Sequence, residues 1–172
     1  MPRMPEFLLN VPIFQDLDND ALSILTPLLI SKRVKAGRTI FREMDESDAL
    51  YIVEEGQVIV SKHVQGDIEV VLARFQPGDF FGEMGLFDGA PRSASAQAAA
   101  DTVLWTLKRN VFQQLLSDHP EMAAKICYRL VTIFIQRLRA TNEQAREAIR
   151  WGLEATGYSP AEDAAPLGRR ST

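Results

Sequence analysis

The sequence predicts an α+β fold: an antiparallel β jelly-roll barrel flanked by short N-terminal helices and one long C-terminal helix. Three observations carry this. Between residues 32 and 109 lie the short runs RTIF, ALYIV, QVIVSK, EVVLARF and VLWTL, rich in Val, Ile, Leu and aromatics. The turn signals KAGR, EEGQ, VQGD, QPGD and DGAP punctuate the same region, and many short strands at this spacing read as a double-sheet barrel. On both sides of it, apolar residues return at helical spacing.

The elements follow in order. EFLLN forms a short turn that stops before Pro12. Residues 16–30 read as a helix, with Asp18 as N-cap and Leu22, Leu25, Leu28 and Leu29 on one face. Pro27 should bend or break it near its end. The strands come next, and Trp105 is expected in the core by alternation. VFQQLLSDH is a second helix, ending at Pro120. Glu121 to about Arg150 forms the long helix, with Ile126, Leu130, Ile133, Phe134 and Leu138 as its apolar stripe. The Gly-, Pro- and Ala-rich end reads as a flexible tail. The expected divisions are 1–31 helical, 32–110 β, 111–151 helical (lid and dimerisation) and 152–172 tail.

Composition narrows the function. The 172 residues carry a net charge of −4, which argues against nonspecific nucleic-acid binding as the main task. The single cysteine, Cys127, rules out an intrachain disulfide and points to a reducing compartment. With only two histidines, a structural zinc site has too few ligands of the usual kind. No apolar run approaches the roughly 20 residues that span a bilayer, and the N-terminus lacks a signal-peptide pattern. A cytoplasmic, non-membrane protein is the expectation. There is no Ser/His/Asp arrangement, metal cluster or phosphate-binding glycine loop of the Walker type, so an enzyme is not expected.

FGEMGLFDGAPRSASA, Phe81–Ala96, stands apart. It sets one carboxylate, Glu83, and one guanidinium, Arg92, among glycines and small residues. Phe81-Gly82-Glu83-Met84 can offer backbone amides to an anion if a short helix starts there, and Gly82 permits close approach. Arg92 supplies a forked cation. Glu83 next to an anion makes sense if the same ligand offers hydroxyl donors. A phosphate joined to a ribose satisfies all three.

The stretch resembles the phosphate-binding cassette of the cyclic-nucleotide-binding domain family, which includes protein kinase A regulatory subunits and the catabolite activator protein. VPIF, KAGRTIF, DESDALYIVEEGQV and QPGDFFGEMGLF look like other segments of that family, so the similarity covers roughly residues 5–150. It implies a ligand, cAMP or cGMP, and no other cofactor. It implies that Glu83 accepts the ribose 2′-hydroxyl and that Arg92 pairs with the phosphate oxygens. The Gly82 and Ser93 amides should face phosphate, with the Ser93 hydroxyl adding a contact. Thr141 and Asn142 should reach the base, although they lie about one helical turn later than the resemblance leads one to expect. The family often has glycine where this chain has Met44, before Asp45, so that turn is expected to be altered.

The resulting expectation is a sensor that closes its C-terminal helix over a cyclic nucleotide. It would be a homodimer through that helix and would signal to a protein effector without specific nucleic-acid binding. Two alternatives stand beside it: a sensor fragment of a DNA-binding transcription factor, since the 21 residues after Trp151 are too few for a helix-turn-helix, and a ligand-free interaction module.

Overall fold

The computed structural model describes residues 6–65 and 68–155. The N-terminal segment forms two 3-10 turns, Glu6–Asn10 and Pro12–Phe14, and then α1, Asn19–Leu25. Asp18 caps α1, its Oδ1 accepting from the Ala21 amide at 2.8 Å. That bond satisfies a donor which the first helical turn leaves orphaned. Pro27 falls in the 3-10 turn Thr26–Leu28 that ends the helix. The expected helix over 16–30 is therefore shorter, and Ile30 already belongs to a strand.

Eight strands follow: β1 Ile30–Val34, β2 Thr39–Phe41, β3 Ala49–Glu55, β4 Val58–Gln65, β5 Ile68–Phe75, β6 Phe80–Phe81, β7 Ser95–Ala98 and β8 Thr102–Lys108. They form two four-stranded antiparallel sheets, ordered β1-β8-β3-β6 and β2-β7-β4-β5. The buried cluster Val34, Val53, Val58, Phe81, Ala96, Ala98 and Leu104 draws on both sheets, with Ile40, Phe41, Tyr51, Val60 and Phe75 packed against it. Trp105 is not core. Leu104 and Leu107 of β8 are buried, while the half-buried Trp105 lies near Phe7, its Nε1 donating to Glu54 Oε2 at 2.7 Å.

Helices α2, Arg109–Asp118, and α3, Pro120–Ala155, complete the described chain. Residues 152–155, expected in the tail, continue α3; the rest of that tail lies outside the described residues. The chain divides into two compact units, one ending at Leu130 and one beginning at Val131. In the first, α3 buries Met122, Ala123, Ile126 and Leu130. In the second, Ile133 and Phe134 are half-buried, and Val131, Ile135 and Leu138 are exposed. Among the described residues no helix is long and apolar enough to cross a membrane.

Candidate functional site

The site grows out of the end of β6. Gly82 has φ 73° and caps the 3-10 turn Glu83–Leu86. Its positive φ favours glycine, and so does the space around it. A Cβ there would lie 2.8 Å from Arg92 Nη1 and 3.3 Å from the Ala49 carbonyl oxygen. Gly85 is equally confined, since a Cβ would stand 2.5 Å from Ser47 Oγ. The glycines of the motif thus let a guanidinium and a loop press against the backbone. Glu83 is 8% exposed and Phe81 is buried, its ring stacked on Tyr51 at 5.3 Å. Met84 and Phe87 are exposed.

Arg92 is the centre of the arrangement. It is 4% exposed. Nη1 donates to the Gly82 carbonyl at 3.0 Å and Nη2 to the Ala49 carbonyl at 2.9 Å. The guanidinium carbon lies 4.3 Å from the Phe41 ring centroid and 5.4 Å from that of Tyr51, a cation over electron-rich faces. Nε is buried with no hydrogen-bond partner among the described residues. Burial lowers the Arg92 pKa, opposed by Tyr51 and Asp48 nearby; the group remains a cation at neutral pH. Burial also raises the Tyr51 pKa, opposed by the Arg92 charge. The guanidinium is thus a buried cation whose charge is met by carbonyl dipoles and aromatic faces.

Two backbone ties around the turn go beyond the sequence reading. The first is the Met44 turn. Met44 has φ 71°, the left-handed conformation that glycine adopts readily. The turn is formed nonetheless, with Asp45 Oδ2 accepting from the Arg42 amide at 2.7 Å. It is also tied to the site: the Met44 amide donates to the Arg92 carbonyl at 2.9 Å, and the Arg92 amide to the Asp45 carbonyl at 2.8 Å. The departure at Met44 therefore leaves the turn in place and puts its strain directly behind Arg92. The second is Arg109, whose Nε donates to the Gly85 carbonyl at 2.6 Å and whose Nη2 donates to the Ser47 carbonyl.

The structure thus gathers Phe81, Gly82, Glu83 and Arg92 around one turn. Ser93 follows on the exposed side. Thr141 and Asn142 are exposed in the second unit, where the Thr141 hydroxyl donates to the Arg137 carbonyl at 2.9 Å. A cleft of about 230 Å³ lined by Arg33, Lys35, Glu55, Asp101 and Thr102 lies elsewhere, at the opposite ends of β3 and β8 from Ala49 and Lys108. No group of three or more His, Cys, Asp or Glu among the described residues could hold a metal ion.

A double antiparallel sheet that frames a glycine-lined turn around a buried arginine defines a small-ligand module of the jelly-roll type. Residues 31–119 match the cyclic nucleotide-binding domain, and the chain belongs to that family. It is 30% identical over 152 residues to the cAMP-dependent protein kinase regulatory subunit of Blastocladiella emersonii, covering 87% of this chain and 37% of that protein. It is 30% identical over 146 residues to a CRP-like cAMP-activated global transcriptional regulator of Mycobacterium tuberculosis, covering 85% of this chain and 63% of the regulator. The chain thus spans less than two thirds of either relative. The crystal structure of a cyclic nucleotide-binding domain from Methylobacillus flagellatus superposes with a TM-score of 0.73 at 27% identity, covering 82% of this chain and 79% of that one.

Proposed function

We infer that this chain is a cyclic-nucleotide sensor that takes cAMP or cGMP at the turn between Phe81 and Ser93 and signals through protein contacts. One observation carries the reading: a buried guanidinium at Arg92, held against Gly82, with its Nε unpaired among the described residues. A phosphate oxygen would satisfy that donor and balance the charge. Glu83 then accepts from the ribose 2′-hydroxyl. The Gly82 and Ser93 amides face phosphate, Phe81 and Met84 frame the turn, and Thr141 and Asn142 serve the base. The two relatives named for cAMP support the choice of ligand, and both are regulators, as a non-enzymatic role requires.

Ligand shifts a conformational equilibrium only by binding one state better. Closure of the C-terminal helix on the bound nucleotide supplies that difference, and the exposed Val131, Ile135 and Leu138 are where a second copy or an effector would read it. Calorimetric titration with cAMP, cGMP and cyclic di-GMP tests the reading. Saturable binding of cAMP or cGMP at one site per chain, without cyclic di-GMP binding, is expected. No binding of either mononucleotide by the folded chain defeats it. The Mycobacterium tuberculosis relative favours a second reading, the sensor part of a transcription factor. Sequence-selective, submicromolar binding to duplex DNA near physiological salt would establish that instead.

A further inference from the structure

Arg109 sits where helix electrostatics disfavours it. It is the first residue of α2, and a cation in the first turn meets the positive end of the helix dipole. Residues that break a local rule often serve a site, and here the guanidinium reaches away from its own helix. Nε donates to the Gly85 carbonyl at 2.6 Å and Nη2 to the Ser47 carbonyl. The Arg109 amide donates to the Asp48 carbonyl at 2.7 Å. Arg92 makes the matching pair of bonds, to the carbonyls of Gly82 and Ala49. Each arginine joins one carbonyl from residues 82–85 to one carbonyl from Ser47–Ala49. The turn is strung between two guanidinium forks, one at either end. Small residues make room for the second fork as for the first: at Gly89 a Cβ would lie 3.0 Å from Arg109 Nη1.

We propose that Arg109 is the positioning residue for the phosphate-facing turn, holding its Gly85 end while Arg92 holds its Gly82 end and faces the ligand. Without Arg109 the turn keeps one anchor. The Gly85 and Phe87 amides, bonded to the Gly82 and Met84 carbonyls at 3.1 and 2.9 Å, then open more often, and Gly82 and Glu83 are presented in a wider spread of positions. The ligand arm of this proposal rests on the cyclic-nucleotide reading; the structural arm does not.

The test uses Arg109→Gln and Arg109→Lys in the full chain, with hydrogen exchange on the ligand-free protein and calorimetry with cAMP and cGMP. A hydrogen bond from a charged donor controls local opening by about 10- to 100-fold. Arg109→Gln should therefore raise exchange at Gly85 and Phe87 by that factor and leave the β4–β7 ladder unchanged. It should weaken nucleotide binding about tenfold, with Arg109→Lys, which keeps the charge without the planar fork, falling between. Unchanged protection at Gly85 and Phe87, or an equal rise throughout both sheets, overturns the proposal. So does faster exchange at the turn with unaltered affinity in both variants. If the unmodified chain binds neither nucleotide, the functional reading fails, and the exchange pattern still decides the role of Arg109. If Arg109→Gln does not fold, Arg109→Lys is judged by the same two measurements.

Discussion

Replacing Arg92 with alanine should remove more than the proposed phosphate contact. Its fork makes two bonds, to Gly82 and Ala49, and its face covers Phe41. Hydrogen bonds from a charged donor contribute about 1.5–3 kcal/mol each, and a desolvated cation–π contact about 2 kcal/mol. Against this stands the cost of burying the guanidinium, which is why its pKa is lowered and which alanine escapes. The net destabilisation should be about 2–4 kcal/mol, read as a lower urea midpoint at an unchanged slope. Binding should suffer separately, because an anionic oxygen loses its partner inside a closed site, at about 2–4 kcal/mol. Calorimetry on the folded variant, at a temperature where circular dichroism shows native structure, measures that term. Arg92→Lys should recover part of the stability, since one ammonium can reach one carbonyl but cannot reproduce a planar fork over Phe41. Unchanged nucleotide affinity in folded Arg92→Ala would remove Arg92 from the phosphate and with it the basis of the functional reading.

Glu83→Gln should weaken cAMP or cGMP binding by about 1–2 kcal/mol, since a neutral acceptor remains, and should cost a 2′-deoxy analogue nothing; equal losses for the two ligands would contradict the 2′-hydroxyl role. Met44→Gly should stabilise the chain by about 1 kcal/mol, the relief of about 1–3 kcal/mol of left-handed strain less the backbone entropy of glycine, and a lower melting temperature would show that the turn is unstrained. The Arg129 guanidinium beside Asp16 holds its carboxyl below the ordinary 3.8; a depressed folded pKa means stability present above the unfolded value and lost as pH falls through the folded one. Asp16→Asn should therefore flatten the acid side of a urea-midpoint profile below about pH 5, and an identical profile would remove the pair from the balance. Sedimentation should find a dimer at micromolar concentration, abolished by Leu138→Glu; a monomer with and without ligand would dispose of the helix-mediated assembly.

The elements that declared themselves in the sequence did so through apolar periodicity or turn chemistry. Asp18 lies one residue before α1, as the N-cap reading requires. Strands β3, β4 and β8 carried enough Val, Ile and Leu to be read. By contrast, β1 buries only Val34 of Ile30–Val34, so its charged residues hide the strand. In β7, Ala96 and Ala98 are wholly buried yet contribute little apolar signal and belong to a type depleted in strands. The candidate site was legible as spacing, because Gly82, Glu83 and Arg92 are distinctive residues close together in the chain. Arg109 was not, since its acceptors are backbone carbonyls and every residue has one. Met44 could be flagged as a departure, but its bond to the Arg92 carbonyl spans 48 positions in the chain (92 less 44), and no local pattern reports it.

Strand β5 has a practical bearing on handling. It ends its sheet, and Ile68, Val70, Val71 and Leu72 along it are all exposed. A short uncharged apolar run on an outer strand is the template on which aggregates grow. Glu69 and Arg74 bracket Val70–Ala73 as gatekeepers of opposite sign. The shelf life of a concentrated preparation should therefore follow the charge at these two positions more closely than the melting temperature. Material that has lost either charge should precipitate while its sheets are still intact.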